Sequence, residues 1–148
     1  MRAHPQVAVV QEDGCSALAF ICSGTNAAAL ARKQRSVDAG ALEAVVAALR
    51  AHPQVAVVQE DGCSALAFIC SGTNAAALAR KQRSVEAGAL EEVVAALRAH
   101  PQVAGVQEMG CWALANMCCG SDAAGLARQQ RSADAGALEA VVAALRAH

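Results

Sequence analysis

Apolar residues return at helical spacing from the start of the chain. Val7, Val10, Gly14, Ala17, Leu18 and Ile21 fall three or four apart and predict a helix following the His4-Pro5 step. Proline suits the first turn of a helix, and the residue before it is pushed out of helical geometry. Ser23-Gly24 predicts the stop. Leu30 and Val37, one heptad apart, predict a second helix over 27–39, capped by Thr25 or Asn26 and broken by Gly40. Leu42, Val45, Val46 and Leu49 form one apolar face of a third helix, from 41 to about 51.

The pattern then repeats. The string Ala-His-Pro-Gln-Val-Ala starts at Ala3, at Ala51 and at Ala99, a period of 48 that defines units 3–50, 51–98 and 99–146. The first two units differ only where Asp38 becomes Glu86 and Ala44 becomes Glu92; the third differs from the first at eleven positions. Recent duplication and deliberate design both produce such near-identity. Three short helices cannot bury their own apolar faces, whereas stacked units share one continuous core. The expectation is therefore an all-α fold, a right-handed α-solenoid of three three-helix repeats forming one domain over 1–148.

Composition agrees with helices. Of 148 residues 39 are alanine, 2% are aromatic and 17% are charged. Strands favour aromatic and β-branched residues, and disorder needs few apolar residues with high net charge. No run of about 18 apolar residues is free of charge, so no membrane span is expected. The start at Met1 lacks the apolar run of a signal peptide. A net charge of −1 gives no field that would draw nucleic acid or a membrane surface. Seven cysteines, an odd number, read as reduced thiols of a cytoplasmic or nuclear protein. Cys15 and Cys22 lie two helical turns apart, roughly 10 Å, too far for a disulfide or a shared metal ion. Cys63 and Cys70 repeat that spacing, as do Cys111 and Cys118. No cofactor or metal is expected.

The run from Asp134 to Arg146, with Ala135-Gly136-Ala137-Leu138, resembles the junction between the first and second helices of an armadillo repeat. Trp112-Ala113-Leu114-Ala115-Asn116 resembles the end of that family's long third helix. The resemblance covers all three units, and it implies armadillo-like repeats beginning here at a third helix. The 48-residue unit exceeds the family's usual repeat by about six residues, which fall around 27–35. The resemblance also implies a scaffold that binds proteins or extended peptides rather than an enzyme. The long helices would line its concave surface, and the Trp112 and Asn116 pair would face the peptide. Ser16 and Phe20 hold those positions in the first unit, and Ser64 and Phe68 hold them in the second.

The copies single out the same surface independently. Five of the eleven differences fall at 9, 13, 16, 20 and 23, a stripe along one helix face. The third unit carries Gly105, Met109, Trp112, Asn116 and Cys119 there. Phe20, Phe68 and Trp112, the only aromatic residues, all lie on it, and aromatic side chains are favoured interface anchors. Two other repeating features read as structural. His4, His52, His100 and His148 should form a row of turn residues about 10 Å apart, too far to share a metal. The basic strips at 32–35, 80–83 and 128–131 should form a solvated outer face.

The ends carry no dedicated capping repeats, which solenoids usually need. Leu138, Val141, Val142 and Leu145 repeat the face that the second unit turns to the third. Val7, Val10 and Leu18 repeat the mating face. The competing functional reading is therefore a self-assembling repeat block, a homo-oligomer joined through these ends. A heterologous contact of this kind gives a ring or a filament; an isologous dimer or a domain swap is the alternative.

Overall fold

The computed structural model describes residues 7–148. The first unit holds α1 (Ala8–Ile21), α2 (Ala27–Asp38) and α3 (Ala41–Ala51). The second holds α4 (Ala56–Ile69), α5 (Ala75–Glu86) and α6 (Ala89–Ala99). The third holds α7 (Ala104–Cys118), α8 (Ala123–Asp134) and α9 (Ala137–Ala147). Each helix packs on its own counterpart in the neighbouring unit, so α1, α4 and α7 form one row, α2, α5 and α8 a second, and α3, α6 and α9 a third. This is an all-helical repeat stack, a helical solenoid in architecture. Its core of alanine, valine, leucine and cysteine is continuous from Cys15 to Ala140.

Local chemistry sets the helix ends. The Asn26 side chain accepts the Ala29 N–H at 2.8 Å, and Asn74 and Asp122 cap α5 and α8 in the same way. Gly40, Gly88 and Gly136 take the left-handed conformation that turns the chain tightly into the third helix of each unit. Gly24, Gly72 and Gly120 do so after the long helices.

The proline expectation needs correction. His4-Pro5 lies outside the described residues, but Pro53 and Pro101 sit in turns, and their helices begin three residues later at Ala56 and Ala104. Side chains hold each turn in place. Gln59 donates to the carbonyls of Leu49 and His52, which α3 leaves without helical partners. Gln107 does the same at the end of α6. His100 pairs through Nε2 with the Pro53 carbonyl at 2.8 Å, and His148 pairs with the Pro101 carbonyl at 3.0 Å. These two histidines are turn residues tying one unit to the previous one, while His4 falls outside the described residues.

The basic strips are a solvated outer face only in part: Arg32, Arg35, Arg83 and Arg131 are exposed. Lys33, Arg80, Lys81 and Arg128 are buried. Arg80 donates from Nε to the Ile69 carbonyl at 2.8 Å and from Nη2 to the Ser71 carbonyl, closing the C-terminus of α4. Arg32 and Arg128 clamp the ends of α1 and α7 in the same way. The lysines cross between units: Lys33 Nζ donates to Ser71 Oγ at 2.7 Å, and Lys81 Nζ donates to the Asn116 carbonyl at 2.7 Å. The physical reason is the orphan carbonyls at the ends of the long helices, which buried cations satisfy. Among the described residues no buried side-chain nitrogen or oxygen lacks a partner.

Candidate functional site

The stripe read from the sequence lines a groove between α1 and α4. Ser16, Ala19, Phe20, Ser23, Asp61, Ser64 and Phe68 enclose about 320 Å³. Four of the seven predicted binding residues meet there: Ser16, Phe20, Ser64 and Phe68. Phe20 is 78% exposed, so it is not part of the core. The groove exists because serine stands at 16 and 64, where a small side chain leaves the space between the long helices open.

One repeat further the same positions are bridged. Trp112 replaces serine, and its ring meets Phe68 edge to face with centroids 4.8 Å apart and planes at 86°. Trp112 remains 37% exposed. Asn116 replaces phenylalanine, and its Nδ2 donates to the Ala67 carbonyl at 2.8 Å. That bond spends one amide hydrogen and leaves the other, with Oδ1, for further use. Met109 is half-buried beside them, packed against the core. The stripe is thus an open groove at one end and an aromatic shelf at the other.

Ala19, Ser23 and Asp61 complete the lining and were not among the predicted residues. Asp61 was legible in principle, because it is the copy of Asp13 on the stripe. Burial holds its carboxyl above the ordinary aspartate value, and the negative charges of Glu60, Glu12 and Asp13 add to the shift. The groove therefore pairs aromatic surface with Asp61, which neighbouring acidic groups repel, and a cation placed there would relieve that repulsion.

The predicted end-face residues lie at opposite ends of the stack. Val7 and Val10 are exposed on the α1 side, with Leu18 half-buried; Leu138, Val142 and Leu145 are exposed on α9, with Val141 half-buried. All seven cysteines are free thiols. Among the described residues no group of three or more His, Cys, Asp or Glu is placed to hold a metal ion, and no helix is long and apolar enough to cross a membrane. Compared with protein-family models, with curated proteins and with solved structures, the chain matches none.

Proposed function

We propose that the chain is an armadillo-like solenoid acting as a non-catalytic scaffold, and that it binds a protein segment or extended peptide along the row α1, α4 and α7. The observation that carries this reading is the groove itself. Ser16 and Phe20 with their copies Ser64 and Phe68, at positions where the third unit carries Trp112 and Asn116 instead, line one cleft. Its main aromatic side chain, Phe20, points to solvent rather than into the core. A volume of about 320 Å³ accommodates one or two side chains rather than a large metabolite. Phe20, Phe68 and Trp112 supply apolar anchors, and Asp13 and Asp61 favour a basic side chain, which the aromatic faces also attract. The lining contains no histidine to act as a base for Ser16 or Ser64.

The test is selection from a displayed library of random peptides, followed by affinity measurement on the selected sequences. The reading predicts selected peptides whose affinity falls about thirtyfold or more on Phe68→Ala or Trp112→Ala, the loss of a principal anchor. Peptides that bind all of Phe20→Ala, Phe68→Ala and Trp112→Ala as tightly as the parent would overturn it.

A further inference from the structure

The three copies report on their own end faces. Leu49 of α3 seats over Gly62 of α4, and Leu97 of α6 over Gly110 of α7. A Cβ at either glycine would stand 2.6 or 2.7 Å from the leucine Cδ2. Leu49 is 1% exposed and Leu97 3%. The third leucine of this register, Leu145 of α9, is 75% exposed. Among the described residues nothing lies within 4 Å of the Cβ position of the first glycine, Gly14 of α1. One knob and one socket of the same register stand open at opposite ends of the stack.

Adjoining positions follow the same rule. Val58 is fully buried, while its copy Val10 is 50% exposed. Arg50 lies over Gly88 and Arg98 over Gly136; no described residue lies over Gly40, and Arg146 is exposed. Arg83 pairs with Glu43, and Arg131 with Glu91, both at 2.9 Å. Arg35 and Glu139 hold the corresponding positions on the two open faces.

We infer that a second copy of this chain docks head to tail on α9. Leu145 seats over Gly14 of the second copy, Arg146 over Gly40 of the second copy, and Glu139 beside Arg35 of the second copy. Each contact repeats one already made twice inside the chain, so the occupant is specified by register and by charge as well as by apolar area. Ala147 and His148 already hold the register positions of Ala3 and His4 in the second copy, and the contacts assigned here fall on its Gly14, Arg35 and Gly40. Two open depressions along α9, about 320 and 360 Å³, receive the incoming helices; Leu138 and Val142 line one, Cys111 and Leu145 the other. The row of second helices contributes less. Where Lys33 reaches across to Ser71, α8 carries Gln129, which turns back to the Cys118 and Gly120 carbonyls of its own unit.

The contact is heterologous, so two blocked variants decide it. Leu145→Glu spoils the knob and leaves the socket; Gly14→Ala fills the socket and leaves the knob. Both substitutions are at solvent-exposed positions, and helical circular dichroism confirms that each variant folds. Mass is followed by light scattering behind size exclusion over a hundredfold concentration range under reducing conditions. The parent chain is expected to gain mass with concentration or hold a fixed multiple of 15.0 kDa. Each variant alone is expected to lose about tenfold or more in association. An equal mixture of the two is expected to recover a dimer and nothing longer. A parent that stays at monomer mass throughout overturns the inference. So does a Leu145→Glu variant that associates like the parent, or a Gly14→Ala variant that does so, the signature of an isologous pairing through α9.

Discussion

Leu49 occupies the space that Gly62 leaves empty: a Cβ on that glycine would come within 2.6 Å of the leucine Cδ2. The glycine at this position is thus a packing device between units, and the first unit carries the same glycine with no described residue seated on it. Replacing glycine by alanine inside a helix gains about 1 kcal/mol from propensity. Overpacking a filled core costs about 1–3 kcal/mol. Gly14→Ala should therefore stabilise the chain by about 1 kcal/mol, while Gly62→Ala should be neutral to destabilising by about 2 kcal/mol. Urea unfolding of the two variants at low protein concentration checks this. Equal effects of the same sign would show that Leu49 does not depend on the gap.

Arg80 and Arg32 make the same two backbone bonds, but Arg80 is buried and Arg32 is exposed. Loss of charged hydrogen bonds in a buried site should make Arg80→Ala cost about 2–3 kcal/mol. Arg32→Ala should cost under about 1 kcal/mol, because water replaces the lost donor. Denaturant midpoints of the two variants, compared side by side, give the answer. A basic strip serving only as a solvated face would show little loss at either position.

Thiol reactivity should follow burial. Burial pushes the Cys63 thiol up to about 12 and the Cys15 thiol to about 11, with smaller contributions from neighbouring groups. These groups stay protonated, and so unreactive, at about pH 8. Cys119 is exposed, and Cys111 and Cys118 are half-buried. Timed alkylation with mass-spectrometric mapping should show Cys119 modified first, Cys111 and Cys118 next, and Cys15, Cys22, Cys63 and Cys70 only on unfolding. Early modification of Cys63 would mean that the middle unit opens far more readily than its packing implies.

Asp61 is predicted to trade stability for binding. Its carboxyl holds a proton more tightly in the folded chain than its ordinary value of 3.8, through burial first and then Glu60, Glu12 and Asp13. A carboxyl with a raised folded-state value destabilises the fold when ionised, and the penalty disappears as pH falls toward the unfolded value. Asp61→Asn should therefore melt higher than the parent near neutral pH, and the gap should close as pH falls toward 3.8. The same variant should bind basic peptides more weakly. A gap that is constant across this range, measured by thermal melts, would remove the electrostatic explanation.

The third helix of each unit was legible almost to the residue, because Gly40 and the spacing of Leu42, Val45, Val46 and Leu49 leave little choice; 41 to about 51 became Ala41–Ala51. The start of the long helices was not, because the turn at Pro53 is set by Gln59 and His100 reaching back from other elements, which no local pattern encodes. The buried cations escaped for a similar reason: a run of Arg and Lys reads as solvated until the carbonyls at the end of the preceding helix are placed beside it. One signal was available, since Arg32, Arg80 and Arg128 persist in all copies while Lys33 and Lys81 give way to Gln129. The groove was half legible. Comparing copies found Ser16, Phe20, Ser64 and Phe68; it also marked position 13, whose copy is Asp61, but the aromatic residues and the positions matching Trp112 and Asn116 drew the reading away from it.

The most direct test of the binding surface is a chemical-shift map of the backbone amides with a library-selected peptide. The account predicts perturbations concentrated at Asp13, Ser16, Phe20, Asp61, Ser64, Phe68 and Trp112, running along α1, α4 and α7. Perturbations confined to the second-helix row, α2, α5 and α8, would contradict it, and the partner surface would then have to be sought away from the groove.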